Sequence, residues 1–256
     1  MMRGRTSLMT TLRLAALAVA TLLAACAGPA VPSPSVVAAA DTPLRWKALL
    51  VAADDAEPVF DNGVDALRRS LLSFGVAPAD IAVLKADARQ ADAIATKANF
   101  DRAMTGLAGP AGTGCFVYLT SHGVEGRGLF AAADDAVIPP AYLAQALDGA
   151  CAGRPTVLVT SGCYSGIYTD TPALTTPDRI VLTAARADRP SFGCGRGDRY
   201  TYYDQCFLDS LKRGAAWTAI AADISGCVAR RERTKHFQPS QPQSAFGRDV
   251  AGLTAF

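Results

Sequence analysis

Two short apolar runs constrain this chain most, because each ends in a residue that can do chemistry. Cys115-Phe116-Val117-Tyr118-Leu119-Thr120 leads straight into Ser121-His122-Gly123. About 40 residues later, Thr156-Val157-Leu158-Val159-Thr160 leads into Ser161-Gly162-Cys163. Short continuous apolar runs read as strands buried on both faces, the kind found in parallel sheets covered by helices. In open parallel sheets, sites gather beyond the carboxyl ends of the strands. If these two strands are neighbours, an imidazole and a thiol meet at one sheet edge.

The rest of the chain fits that frame. Trp46 to Ala53 predicts a buried first strand, and Ile81 to Leu84 a second. Asp61-Asn62-Gly63 is a turn and helix-start signal, with Val64, Leu67, Leu71 and Phe74 following at helical spacing until Gly75. Phe100, Ala103, Met104 and Leu107 mark a second amphipathic helix, ended by Gly109-Pro110. Leu129-Phe130 and Val137-Ile138 bracket Asp134-Asp135 as a small hairpin beside the main sheet. Pro139-Pro140 introduces a short helix near Tyr142 to Leu147, and Ile180 to Thr183 gives a fifth strand. Helical stretches near Asp204 to Leu211 and Trp217 to Arg231 precede a polar, Pro-rich tail. Strands alternating with helices predict one α/β domain from Arg45 to Phe256, its mostly parallel sheet covered on both faces.

Residues 1–44 read differently. Arg3, Arg5 and Arg13 make a basic leader, and Leu14–Ala25 is an apolar run too short to span a bilayer as a helix. Residues 1–25 therefore read as a signal peptide. Leu23-Ala24-Ala25-Cys26 resembles the lipobox of bacterial lipoproteins, which implies Cys26 as an acylated first residue and membrane attachment through a lipid anchor. The alternative is a plain secreted protein. Ala27 rather than Asp follows the Cys, which by the same resemblance implies the outer membrane of a Gram-negative bacterium and a protein facing the periplasm. Residues 26–44 are rich in Pro, Ala and Ser and read as a tether.

Seven cysteines need accounting. With Cys26 lipidated and one thiol kept as nucleophile, five remain, so at least one more stays unpaired. Cys194 and Cys206 flank a Gly-rich stretch and are the expected disulfide; Cys115, inside a strand, reads as a small hydrophobe. With no C-x-x-C and only two histidines, no metal site or cofactor is expected. A net charge of +2, with no basic run interleaved with aromatics, argues against nucleic acid as a partner.

A thiolate attacks a carbonyl when a nearby imidazole takes its proton and later protonates the leaving amine. His122 and Cys163 have those roles open to them. Gly123 brings a backbone N–H close to a substrate without a side chain, and with the N–H of Cys163 it makes a candidate oxyanion hole. Gly162-Cys163-Tyr164-Ser165-Gly166 is not a serine-hydrolase elbow, because the central residue is Cys. The other histidine, His236, lies near Arg230-Arg231-Glu232-Arg233 and reads as solvated.

The order apolar strand, Ser-His-Gly, apolar strand, Ser-Gly-Cys-Tyr-Ser-Gly resembles the legumain family of cysteine peptidases, peptidase family C13. Thr183 to Cys194 and Pro239 to Gln243 resemble its bacterial exported members. The resemblance implies a caspase–haemoglobinase-like three-layer sandwich. It implies a cysteine endopeptidase acting on peptide or protein substrates through a thioester, with His122 as base, Cys163 as nucleophile and Gly123 as oxyanion donor. It also leaves open transamidation or peptide ligation, and a non-catalytic envelope binding module. Ser121 and Ser191 fall in the implied substrate pocket. Eukaryotic legumains carry an Arg after the first strand, and no Arg stands between Asp54 and Asp65 here. Asp61 falls near that place, either as a pocket residue favouring basic substrates or as a helix cap.

Overall fold

The computed structural model describes residues 44–87, 91–195 and 197–256. The leader, Cys26 and almost all of the tether lie outside the described residues. The first strand, β1 (Arg45–Ala52), is followed by α1 (Pro58–Ser73), β2 (Ile81–Lys85), β3 (Ala93–Ile94), α2 (Lys97–Gly106) and β4 (Thr113–Thr120). Next come β5 (Gly123–Val124), β6 (Gly128–Ala131), β7 (Ala136–Ile138), α3 (Pro140–Cys151) and β8 (Thr156–Ser161). The described chain closes with β9 (Arg179–Thr183), α4 (Tyr202–Ser210), α5 (Trp217–Thr234) and β10 (Gln243–Phe246).

Among the described residues, seven strands form the main sheet in the order β10-β9-β8-β4-β1-β2-β3, and β5, β6 and β7 form the small one. Every neighbour pair of the main sheet is parallel except β10 on β9. Side chains alternate between sheet faces. Ala48, Leu50, Phe116, Tyr118, Val157, Val159, Ile180 and Leu182 face one core with α1, α4 and α5. Leu49, Val51, Cys115, Val117, Leu119, Leu158 and Val181 face the other with α2 and α3. The molecule is therefore the three-layer α/β sandwich expected, a mostly parallel sheet with helices on both faces.

Four local expectations need correction. The first helix starts at Pro58, not after Gly63, because proline at the first helical position is set for a helix and needs no N–H partner there. Gly63 lies inside the helix, where a Cβ would stand 3.2 Å from the Tyr118 hydroxyl and 3.4 Å from an Asp204 carboxylate oxygen. The tail is not merely polar: β10 pairs antiparallel with β9, and Val250 and Ala255 are buried.

The remaining two corrections concern cysteines. Cys206 bonds Cys227, with Cα atoms 5.7 Å apart, and Cys194 is free. Cys206 sits on the wholly buried face of α4 against α5, so its partner comes from the packed helix and not from the nearby loop. Cys115 is also no lone hydrophobe; it bonds Cys151 at the end of α3, with Cα atoms 6.1 Å apart. Of the six cysteines among the described residues, Cys163 and Cys194 stay unpaired.

Candidate functional site

The register between β4 and β8 brings the two motifs together. Thr120 lies opposite Ser161 in a parallel pair, so His122 and Cys163 each follow two residues past matched strand ends. The Ser121 N–H donates to the Ser161 carbonyl at 3.0 Å, extending the ladder to the motif. Alternation sends even residues of β4 and odd residues of β8 toward the α1/α4 face. The His122 ring follows suit, standing edge-on to Phe60 of α1 with centroids 5.1 Å apart. Among the described residues, no side chain hydrogen-bonds the imidazole.

The two strand ends touch backbone to backbone. A Cβ on Gly123 would overlap the Cys163 carbonyl oxygen, and would stand 2.6 Å from its carbon and 3.0 Å from its nitrogen. Glycine is required there by that approach. Gly162 is similarly tight: a Cβ would stand 2.5 Å from Leu129 Cδ2 and from the Ser121 carbonyl oxygen.

Tyr164, Ser165 and Tyr168 fasten the turn that follows Cys163. Tyr164 adopts φ 59°, a left-handed conformation that costs a non-glycine residue about 1 kcal/mol or more. Its N–H donates to the Arg189 carbonyl at 2.8 Å, which holds that conformation. The buried Ser165 hydroxyl accepts from Ala184 N at 3.0 Å and from Ala185 N at 3.2 Å, pinning the turn to the end of β9. The Tyr168 hydroxyl accepts from Leu129 N at 2.9 Å and donates to the Ile138 carbonyl, tying the turn to the small sheet.

The Cys163 thiol rests on the Ser191 peptide. Ser191 N–H donates to Sγ at 3.3 Å, Sγ donates to the Ser191 carbonyl at 3.5 Å, and Ser191 Oγ is 3.8 Å away. Ser191 therefore lies against the Cys163 sulfur. Cys163 and Cys194 are both half-buried thiols. Burial, reinforced by the charge of Cys163 and then of Asp204, pushes the Cys194 thiol up to about 12. Cys194 is thus a poor nucleophile at neutral pH.

Ser121 and Asp61 both have partners within the fold. Ser121 is buried, and its hydroxyl donates to the Phe130 carbonyl at 2.6 Å. Asp61 neither lies in the loop nor caps α1, whose N-cap is Glu57. It stands within the first turns, 3.7 Å from the buried Lys85 ammonium that Asp65 pairs at 2.9 Å. Burial raises its pKa against the pull of Lys85.

Asp204 escapes sequence reasoning. This first-turn residue of α4 is wholly buried beneath both strand ends. Thr120 Oγ1 donates to its Oδ2 at 2.9 Å, and its own N–H donates to Thr201 Oγ1 at 2.9 Å. Thr201 Oγ1 in turn lies 3.5 Å from Ser161 Oγ. Burial raises the Asp204 pKa, while hydrogen bonds from Ser161, Tyr118, Thr201 and Thr120 hold it back. Its Oδ1 has no partner among the described residues. The spacing Thr201…Asp204 announces a helix start, but not a carboxyl joining the two strands.

A cavity of about 400 Å³, lined by Val51, Ala53, Phe100, Ile138 and Tyr142, opens on the α2/α3 face. It carries neither Cys nor His, so its size does not mark the chemistry.

Residues 112–218 match the Peptidase C13 family. The matched block runs from β4 through the first residues of α5 and contains His122, Cys163, Ser191 and Asp204. No curated protein matches the chain in sequence. The structure is similar to caspase-1 from Spodoptera frugiperda, at a TM-score of 0.58 and 15% identity, over 80% of this chain and 87% of that one. At that identity the likeness establishes the fold. The C13 match supports a cysteine-peptidase type of enzyme acting on peptides or proteins.

Proposed function

We propose that the chain is a cysteine endopeptidase with Cys163 as nucleophile and His122 as general base. One observation carries the reading: the Thr120–Ser161 register sets the two motifs side by side at the carboxyl end of the sheet, with Gly123 against the Cys163 backbone. The His122 imidazole takes the thiol proton, and Sγ forms a bond to the substrate carbonyl carbon. The oxygen gains the displaced electron pair and is met by the N–H groups of Gly123 and Cys163. The C–N bond then breaks, and the amine leaves with the proton held by His122. Water, deprotonated by His122, cleaves the thioester, releasing the acid and returning the proton to the thiol.

The leader supports an exported, lipid-anchored protein: a basic start, a short apolar run and Ala25-Cys26. We assign it to the periplasmic face of the outer membrane. Mass spectrometry of the mature N-terminus tests this, since an unmodified Cys26 refutes the anchor.

A thiol-reactive peptide probe tests the chemistry. Labelling is expected in the wild type and in Cys194→Ser, and is abolished in Cys163→Ala. Labelling that survives Cys163→Ala refutes the assignment. Mass analysis of products with and without added amine separates hydrolysis from transamidation. An amine adduct as the main product would replace the endopeptidase reading.

A further inference from the structure

The last turn of α5 runs into a stretch of unbalanced positive charge. Arg230, Arg231, Arg233 and Lys235 are all exposed, and none forms an ion pair among the described residues. The one acid between them, Glu232, is buried, and its carboxylate accepts from Ser240 N at 3.1 Å. It faces the interior and does not balance the cations outside. The acid before them on α5 is Asp223, about 10 Å from Arg230 by helix rise. After them no acid comes before Asp249. On the loop before α4, Asp198 accepts from Gly195 N at 3.2 Å.

An exposed aromatic ring ends the stretch. Phe237 is 43% exposed, although its ring stacks on Phe192 with centroids 4.3 Å apart and planes at 12°. One face of the ring is supported and the rest meets water. The backbone fixes it there: His236 turns left-handed with φ 58°, which a side chain resists, and Phe237 N–H donates to the Glu232 carbonyl at 2.9 Å. Arg231 lies alongside, its guanidinium 5.3 Å from the Tyr202 ring, whose centroid is 6.0 Å from that of Phe237. The helix dipole favours cations in a last turn. It gives no reason to hold an aromatic ring in water at their end. Cations grouped around an apolar ring suit a surface that is anionic outside and apolar just beneath.

We infer that Arg230, Arg231, Arg233, Lys235 and Phe237 form a docking surface for an anionic phospholipid membrane. The cations meet headgroup phosphates, and the Phe237 ring enters the headgroup boundary. The choice of partner rests on the lipid-anchored reading above, which keeps the domain beside such a surface. A cation near an anionic membrane strengthens attachment about fivefold, so three of them together give about 100-fold. That holds a free domain only weakly. A domain already attached meets the surface at a raised effective concentration, where the same attraction decides which face it presents.

The test uses the full chain with Phe237→Trp on phosphatidylcholine vesicles holding about 30% phosphatidylglycerol, with acyl chains brominated near the headgroup. Trp46 and Trp217 are buried, so the new indole reports the contact, and the unsubstituted chain supplies the background. Quenching of the indole is expected on these vesicles and not on phosphatidylcholine alone. Adding Arg230→Glu, Arg233→Glu and Lys235→Glu is expected to abolish it. So is salt at about 1 M, where the screening length falls to about 3 Å. The salt arm leaves the cations in place, so it stands even where the triple variant folds poorly. Arg230→Lys with Arg233→Lys is expected to keep the quenching, because a headgroup surface reads charge. No quenching on anionic vesicles, or equal quenching on phosphatidylcholine alone, overturns the proposal. Retention on immobilised heparin without quenching on vesicles also overturns it, in favour of a soluble polyanion. The anchor is read separately from the mass of the N-terminus. Acylated Cys26 without quenching overturns the docking surface alone, whereas quenching with unmodified Cys26 upholds the surface and overturns the anchor.

Discussion

Replacing Gly123 by Ala is the sharpest single perturbation of this site. The added methyl carbon would stand 2.6 Å and 3.0 Å from the carbonyl carbon and amide nitrogen of Cys163. Unstrained carbon contacts lie near 3.5–4.0 Å, so the strand ends must part by about 1 Å. The clash is with backbone, which cannot swing aside as a side chain can. Overpacking of this kind costs about 1–3 kcal/mol, a fall in Tm of about 3–10 °C for a domain of this size. Displacing a nucleophile from its base by about 1 Å costs about 100-fold in rate. The variant should therefore melt a few degrees lower and lose about 100-fold or more in kcat/KM, read by circular dichroism and by peptide cleavage. Gly149→Ala is the control, since a Cβ there meets nothing within 4 Å on α3. It should leave kcat/KM unchanged and, by helix propensity, raise stability slightly. A Gly123→Ala enzyme with wild-type Tm and kcat/KM refutes the close approach of the two strand ends.

Three further outcomes follow from the same geometry. The folded-state pKa of Asp204 is raised, so the folded protein binds its proton more tightly than the unfolded chain. That contribution is full below the ordinary carboxyl range near pH 4 and is lost as pH rises through the folded value; in thermal melts, Asp204→Asn should be least stable relative to wild type at low pH and gain on it as pH rises, and a constant gap refutes the burial account. Losing the Cys206–Cys227 bond, which spans 21 positions, should cost about 3 kcal/mol by loop entropy, seen as a lower denaturation midpoint in Cys206→Ala/Cys227→Ala; an unchanged midpoint refutes the cross-link. Ser165→Ala leaves the N–H groups of Ala184 and Ala185 without their acceptor and should cost about 1–3 kcal/mol, while a neutral result in the melt would show the turn is held otherwise.

The strands, the helices and the chemistry-bearing pair were legible because each is a local signal. A short apolar run bounded by turn signals reads as a buried strand, and His122 and Cys163 are chemically distinctive where they follow such runs. Local patterns also placed Gly123 and Gly162, whose lack of a side chain matters only at close approach. What is not local was not legible. Cys206 carries no mark that it faces Cys227, since the packing of α4 on α5 decides it. Asp61 reads in sequence as a pocket residue or a helix cap, but Pro58 starts the helix earlier and Lys85 stands alongside it from β2. Asp204 reads as an ordinary helix start, yet the sheet register sets it under Thr120 and Ser161, where desolvation makes it unusual. The amino-acid sequence by itself determined which residues could react and which segments had to be buried. Only the tertiary structure decided which of them meet, because distances between residues far apart in the chain are set by packing and register, not by neighbours in sequence.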